Sequence, residues 1–144
     1  MHRALGPGLF ELVYEQCLEY ELDRHGVRFR RQVPLALKYE TLRIDCAYRV
    51  DLIIEDELLV ELKSVDRLAP IHYAQLLTYL KLSGVRQALL INFNVQRLTD
   101  GIKRFLAPES SHDLHFLHVL HVCFVTFMLF PTSALAWSIP ARDR

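Results

Sequence analysis

The stretch VDLIIEDELLVELKS carries three charged side chains on the two apolar arms of a predicted β-hairpin: Asp51 on the first arm, Glu61 and Lys63 on the second. If Ile54 pairs with Leu58 around the turn EDE, Asp51 lies opposite Glu61, with their Cβ atoms about 5 Å apart. Two carboxylates at that distance repel each other unless a positive charge lies between them. The spacing therefore predicts a cation site on this hairpin.

The cation that suits two such carboxylates is Mg²⁺, with Mn²⁺ as a substitute. Mg²⁺ prefers oxygen ligands, usually takes only one or two protein carboxylates, and polarises a bound phosphate. Lys63 follows Glu61 by two residues on a strand, so both side chains project from one face. We expect the Lys63 ammonium to orient an attacking water or to stabilise the negative charge that builds on phosphorus.

A simpler interpretation of these residues stays open. Charged side chains that alternate along a strand commonly form its solvated face, and the two carboxylates would then pair with Arg49 or Lys63 in surface salt bridges. The apolar sequence LLVELK around Glu61 favours the cation site, because charges in or beside a core need partners.

The elements that must position the hairpin follow the order α-β-β-β-α-β-α. This order predicts an α/β (mixed α+β) domain of two or three layers, in which a mixed central β-sheet is flanked by helices. The predicted segments are a helix over 6–26 with Pro7 at its start and Gly26 at its end, a strand over 27–40 with Pro34 at an irregularity or an edge, hairpin arms over 41–54 and 58–64, a helix over 69–84, a buried strand over 86–94 and a short helix over 97–106.

The two longer predicted helices each carry a polar stripe. Glu11 and Glu15 lie four residues apart on the first helix and share a face. On the second, Gln75 and Tyr79 have the same spacing, and His72 precedes Gln75 by three residues. Plain structural roles stay open for several of these side chains: a carboxylate favoured by the helix start for Glu11, and ring packing in the core for Tyr14 and Tyr79.

Taken together, these motifs resemble the PD-(D/E)XK nuclease superfamily, and within it the GxxExxY family. The segment GLFELVY matches G-x-x-E-x-x-Y through Gly8, Glu11 and Tyr14, and the hairpin matches the active-site signature through Asp51 and the tripeptide Glu61-Leu62-Lys63. The segments HYAQLLTYLKLSG and LLINF agree as well, so the resemblance runs in order from Leu5 to Leu106.

The resemblance implies a restriction-endonuclease-like core and metal-dependent cleavage of phosphodiester bonds. It implies that Asp51 and Glu61 ligate Mg²⁺, aided by the backbone carbonyl of Leu62. It also implies that Glu11 faces the site and adds a metal ligand, directly or through water.

The resemblance further assigns the catalytic roles. It implies that Lys63 positions or activates the attacking water, and that Gln75 lines the same cleft in a Q-x-x-x-Y arrangement with Tyr79. The same fold without catalysis, as a nucleic-acid-binding or protein-binding module, is the alternative function. An inactive fragment is a third possibility.

The resemblance divides the chain into a nuclease-like domain over 1–106 and an apolar C-terminal extension over 107–144. Since Met1 lies almost on the first motif, we expect the N-terminal helix of the domain to be truncated. The extension matches nothing in the family and is interpreted as non-native. Its apolar run over 114–137 is a candidate membrane contact, but the interrupting histidines and Pro131 argue against a membrane span.

The charge balance excludes strongly basic nucleic-acid-binding proteins. The chain has 17 basic and 17 acidic side chains, and residues 1–106 have 15 and 14, a net charge of +1. A nucleic-acid partner, DNA first and RNA second, must therefore be bound through a local basic patch, and a homodimer would suit cleavage of both strands. The candidate phosphate contacts are Arg28, Arg30, Arg31, Lys81, Arg97, Lys103 and Arg104, although the first three would also suit a solvated strand edge.

The cysteines indicate a reducing compartment. Cys17, Cys46 and Cys123 are odd in number and form no CxxC pair, which argues against a disulfide scaffold or a zinc knuckle. The N-terminal segment MHRALGPG has no long apolar region of a secretory signal. These features predict a cytoplasmic protein.

Overall fold

A computed structural model describes residues 1–107 of the chain. The sequence order of the elements is α-α-β-β-β-α-β-α-β. They are α1 (His2–Leu5), α2 (Glu11–Arg24), β1 (Phe29–Tyr39), β2 (Leu42–Ile54), β3 (Leu58–Lys63), α3 (Pro70–Ser83), β4 (Gln87–Asn92), α4 (Leu98–Gly101) and β5 (Ile102–Leu106).

The five strands form one mixed sheet in the order β1-β2-β3-β4-β5. The β3–β4 pair is parallel, and the other three neighbouring pairs are antiparallel. A parallel pair cannot be joined by a tight turn, and here α3 makes the crossover. The predicted mixed sheet flanked by helices is therefore confirmed, and β3 lies at its centre.

Helices cover both faces of the sheet, so the fold has three layers. On one face, Leu76 and Leu80 of α3 pack with Leu59 of β3 in one hydrophobic cluster. On the other face, Tyr14 of α2 packs with Leu62 of β3 in a second cluster. Since successive residues of a strand point to opposite faces, β3 has to be apolar on both sides, and this explains its unbroken hydrophobic sequence.

The second long helix and the sheet edge agree with the sequence. Helix α3 begins at Pro70 and is followed by Gly84, whose φ of 72° is the left-handed conformation that glycine adopts most easily. Pro34 lies in β1, an edge strand that pairs only with β2. An edge strand tolerates proline, which has no N–H to donate, so the predicted edge position of Pro34 is confirmed.

The predicted start of the first long helix is wrong. Pro7 does not begin it, because α2 starts at Glu11 and is preceded by the short helix α1. Gly6 and Gly8 between the two helices have φ values of 71° and 95°, which a continuous right-handed helix cannot contain. The Tyr14 hydroxyl stabilises this bend by donating to the Gly6 carbonyl (2.7 Å) and accepting from the Leu9 amide (3.2 Å).

The predicted helix over 97–106 is also wrong in its second half. Only Leu98–Gly101 is helical, and Ile102–Leu106 forms β5. A side chain on Gly101 would place its Cβ 2.1 Å from the Asn92 carbonyl oxygen, so this glycine lets the chain turn tightly against the end of β4. The following residues then satisfy the backbone groups along the open edge of β4.

The predicted membrane contact over 114–137 and the predicted extension over 107–144 are not tested by the structure. Within residues 1–107, no helix is long and apolar enough to span a membrane. The apolar run over 114–137 and nearly all of the proposed extension lie outside the described residues.

We predict that Tyr14→Phe lowers the free energy of unfolding by about 1–2 kcal/mol, because two backbone groups lose their hydrogen-bond partner. Urea denaturation measures the change. The matched control is Tyr20→Phe on the same helix, whose side chain is 66% exposed and should tolerate the change. Equal stability of the Tyr14 variant and the wild type would contradict the role of the hydroxyl.

Candidate active site

The register of the β2–β3 hairpin is the predicted one. Ile54 pairs with Leu58, and the ladder continues to Leu52 and Val60. Next to this ladder, the Asp51 side chain bonds the second strand directly, because its Oδ2 accepts the backbone amide of Leu62 at 2.8 Å. The sequence of the hairpin therefore places Asp51 beside the Glu61–Lys63 segment, as the pairing argument required.

Glu61 is a buried carboxylate at the centre of the sheet. Its side chain is 3% exposed, and its Oε1 accepts a hydrogen bond from Lys63 Nζ at 2.5 Å. Among the buried side-chain nitrogen and oxygen atoms of residues 1–107, Glu61 Oε2 alone has no hydrogen-bond partner. A buried oxygen without a donor is costly, so this atom is an open coordination position.

The Lys63 ammonium lies close to three oxygens that could also bind a metal ion, those of Glu61, Leu62 and Glu11. Its ammonium donates to the Leu62 carbonyl at 2.9 Å as well as to Glu61, and it lies 4.0 Å from Glu11 Oε1. Its side chain is only 13% exposed. The sequence predicted that a metal ion would be the positive charge between these oxygens. In the structure, the Lys63 ammonium provides a positive charge at this position.

The start of α2 is fixed to the end of β3, and this brings Glu11 to the site. Ser64 Oγ donates to the carbonyl of Leu9, which precedes the helix, at 2.5 Å. On the sheet side, the Lys63 carbonyl accepts the amide of Phe93 at 2.8 Å, and the Tyr14 ring stacks on Phe93 at a centroid distance of 4.5 Å. The structural role predicted for Tyr14 is confirmed.

Burial dominates the electrostatics of the acidic side chains. It raises the pKa of Glu61 from an ordinary value of 4.5 to about 7, and the charge of Asp51 acts in the same direction. Burial also raises the pKa of Asp51, against the opposing effect of the Leu62 hydrogen bond. The pKa of Glu11 rises for the same main reason, opposed by Lys63. Burial therefore disfavours the ionised form of all three carboxylates.

The position of Gln75 in the cleft of this site stays a prediction. Its side-chain amide donates to the hydroxyl of Tyr79, and it makes no hydrogen bond to Asp51, Glu61 or Lys63 within the described part of the chain. Tyr79 is 2% exposed, so the packing role with a satisfied hydroxyl is confirmed. Burial raises the pKa of Tyr79 to about 12, and the charge of Glu61 adds to the rise.

Three polar residues of the site neighbourhood were not assigned from the sequence. Asn92 is buried and bonds both backbone groups of Val65, which fixes the chain just after Lys63. Glu15 is 8% exposed, and its Oε1 accepts a hydrogen bond from Gln32 Nε2 at 2.6 Å. The spacing of Glu15 from Glu11 was a usable signal, whereas the position of Gln32 depends on an unusual backbone angle that no sequence pattern shows.

The donor set fits a small divalent cation. No group of three or more His, Cys, Asp or Glu side chains within residues 1–107 is arranged to hold a metal ion on its own. Mg²⁺ needs no such cage, because one or two carboxylates and several waters suffice. The carboxylates of Glu61, whose Oε2 is unpartnered, and of Asp51 meet that requirement.

A comparison with protein families decides the classification. A family model described as "PD-(D/E)XK nuclease superfamily" matches residues 1–105. The chain belongs to the PD-(D/E)XK nuclease superfamily. Members of this superfamily are generally nucleases that act on nucleic acids and typically use divalent metals. The superfamily predicted from the sequence motifs is thereby confirmed.

Comparison with solved structures supports the fold. The crystal structure of SSO0001 is similar to this PD-(D/E)XK chain, with a TM-score of 0.55 and 20% sequence identity. The similarity covers 81% of this chain but only 57% of SSO0001. A search of curated proteins finds no match.

We predict that Glu61→Gln stabilises the metal-free protein increasingly as pH rises. The unfolded state releases the Glu61 proton near pH 4.5 and the folded state near pH 7, so wild-type stability falls over this window. The gap in unfolding free energy between variant and wild type should widen by about 3 kcal/mol from pH 4.5 to pH 8.

Urea denaturation in EDTA across this pH range tests the prediction. The matched control is Glu57→Gln, an exposed position in the turn of the same hairpin. A gap between Glu61→Gln and wild type that stays constant with pH would show that burial does not penalise the Glu61 charge.

Proposed function

We propose that this protein is a metal-dependent nuclease that hydrolyses phosphodiester bonds in DNA, with RNA as the second substrate class. The observation that carries the proposal is the unpartnered, buried Oε2 of Glu61 beside the Asp51 carboxylate. A fold that only had to be stable would place an apolar side chain at such a position. Membership of the nuclease superfamily supports the same conclusion.

Asp51, Glu61 and the Leu62 carbonyl are the residues that would hold Mg²⁺ or Mn²⁺, with Glu11 as a further ligand, direct or through water. The bound ion would polarise the phosphate and stabilise the negative charge that develops on it. Binding requires these carboxylates in their ionised form. The ion and the Lys63 ammonium would therefore compete for the Glu61 carboxylate.

Lys63 has the position of a water-orienting residue. If an ion were held by Glu61, the Lys63 ammonium would no longer be the partner of that carboxylate, while its hydrogen bond to the Leu62 carbonyl could persist. The freed N–H groups can orient the water whose oxygen forms the new bond to phosphorus as the leaving oxygen departs. Gln75 and Tyr79 border this space and limit the access of solvent.

The contacts to the nucleic-acid backbone need positive side chains that are not already paired. The arginines at and just before the start of β1 do not qualify well, because each bonds a carboxylate: Arg28 with Glu55, Arg30 with Asp56, and Arg31 with Glu19. Arg97 likewise bonds Asp100. This pairing favours their alternative role as a solvated strand edge.

Arg49 and Arg67 suit phosphate contacts better. Both are exposed and neither forms an ion pair within residues 1–107. Arg49 precedes Asp51 by two residues, and Arg67 follows Lys63 by four, so the chain brings both near the hairpin. Because residues 1–106 carry a net charge of only +1, affinity for the nucleic-acid backbone should be weak.

Several finer assignments complete the proposal. Residues 1–106 form the nuclease domain of GxxExxY type, and the protein acts in the cytoplasm, where its cysteines stay reduced. A homodimer would serve cleavage of both strands of a duplex. These assignments rest on the motifs Gly8-x-x-Glu11-x-x-Tyr14 and Asp51…Glu61-Leu62-Lys63.

We predict that purified protein cleaves labelled DNA in Mg²⁺ or Mn²⁺ and not in EDTA. Asp51→Ala and Lys63→Ala should each lower the rate by at least about 100-fold, because one removes a metal ligand and the other the water-orienting group. Gel assays on single-stranded and double-stranded DNA and RNA measure the rates and identify the substrate.

The controls are Asp56→Ala in the turn of the same hairpin and Lys38→Ala near the end of β1, both at exposed positions. They should cleave at the wild-type rate. A folded wild type that binds Mn²⁺ and nucleic acid but cleaves none of the substrates would contradict the enzyme and favour the binding module.

A further inference from the structure

Gln32 adopts a backbone conformation that is unusual for a residue with a side chain. Its φ is 49°, in the left-handed region, although it lies within strand β1. Its neighbours pair regularly, Arg31 with Leu52 and Val33 with Val50. Gln32 is therefore the residue of β1 that stands across from Asp51 of β2, and the strand is distorted at this step; a separate irregularity lies between Leu35 and Leu37.

The distortion turns the Gln32 side chain toward two carboxylates. Its Nε2 donates to Glu15 Oε1 at 2.6 Å and lies 3.5 Å from Asp51 Oδ1. Carboxylates only accept hydrogen bonds, whereas a side-chain amide nitrogen carries two N–H groups. The NH₂ end of Gln32 can therefore serve one carboxylate with each hydrogen, and the opposite amide orientation would place an oxygen against both.

The amide links the acidic site to a buried anchor. Glu15 is 8% exposed and bonds Gln32 through a short, charge-assisted hydrogen bond. Asp51 is held on its Oδ2 by the Leu62 amide and on its Oδ1 side by Gln32. With a donor on each oxygen, rotation of the Asp51 carboxylate is restricted before any ligand arrives.

We propose that Gln32 is a positioning residue that fixes the Asp51 carboxylate for metal binding, with Glu15 as its anchor. This inference rests on the proposed function, since it assumes that Asp51 is a metal ligand. Hydrogen-bond partners of metal ligands typically change metal affinity by about 10–100-fold when they are removed. Strained backbone retained beside a reactive group is typical of such positions.

The structure allows a test that separates positioning from stability. Gln32→Gly removes the amide but suits the φ of 49°, so the strand should keep its conformation. Gln32→Asn keeps an amide and tolerates the left-handed region, but it is one methylene too short. The matched control is Glu40→Gly, because Glu40 also has a left-handed φ, 51°, in the turn between β1 and β2.

The measurement is Mn²⁺ affinity by titration calorimetry, with thermal unfolding of the metal-free proteins as the second readout. At a temperature where both are folded, the two Gln32 variants should bind Mn²⁺ about tenfold more weakly or worse. Their melting temperatures should lie below that of Glu40→Gly, because the buried Glu15 carboxylate loses its donor. Glu15→Gln should keep most of the affinity, because its amide oxygen can still accept from Gln32.

The outcomes distinguish this inference from the proposed function. Wild-type Mn²⁺ affinity in folded Gln32→Gly or Gln32→Asn would overturn the positioning role and leave the metal site intact. Failure of the wild type itself to bind Mn²⁺ would overturn both. Loss of affinity in Glu15→Gln equal to that of the Gln32 variants would overturn the anchor role and indicate that Glu15 binds the ion itself.

Discussion

The burial of the Glu61 carboxylate is the constraint on which the rest of the structure depends. It lies on the central strand, 3% exposed, where a charge is costly and one oxygen has no donor. Lys63 offsets part of that cost through a 2.5 Å hydrogen bond, and the pKa of Glu61 still rises to about 7. The apolar clusters on both faces of the sheet must supply the stability that this site takes away.

The surrounding elements keep this arrangement in place. Helix α3 makes the crossover connection that lets β3 and β4 pair in parallel. Asn92 at the end of β4 bonds the backbone of Val65 and so fixes the chain after Lys63. On the other face, Ser64 and the Tyr14 hydroxyl both bond the segment before α2, so Glu11 enters the site at a defined point. The charged residues are thus positioned by rigid strands and a braced helix start, as a site for a small cation requires.

The sequence predicted the parts of this structure that depend on local pattern. The alternation and turn of the hairpin were enough to give the Ile54–Leu58 register and hence the Asp51–Glu61 neighbourhood. One error came from a long-range effect, because Ile102–Leu106 is a strand along the open edge of β4. The other was local, because glycines with positive φ bend the chain before α2 begins at Glu11. Gln32 was not assigned because its role follows from a backbone angle and a contact across 17 residues.

The central claim is that a divalent cation replaces the Lys63 ammonium at Glu61. The most direct test is a crystal structure of the wild type with Mn²⁺, located by its anomalous scattering. We expect an anomalous peak within coordination distance of Asp51, Glu61 and the Leu62 carbonyl, with Lys63 Nζ moved away from Glu61 Oε1. An unchanged Lys63–Glu61 pair in a Mn²⁺-saturated crystal, with no peak at the hairpin, would contradict the account.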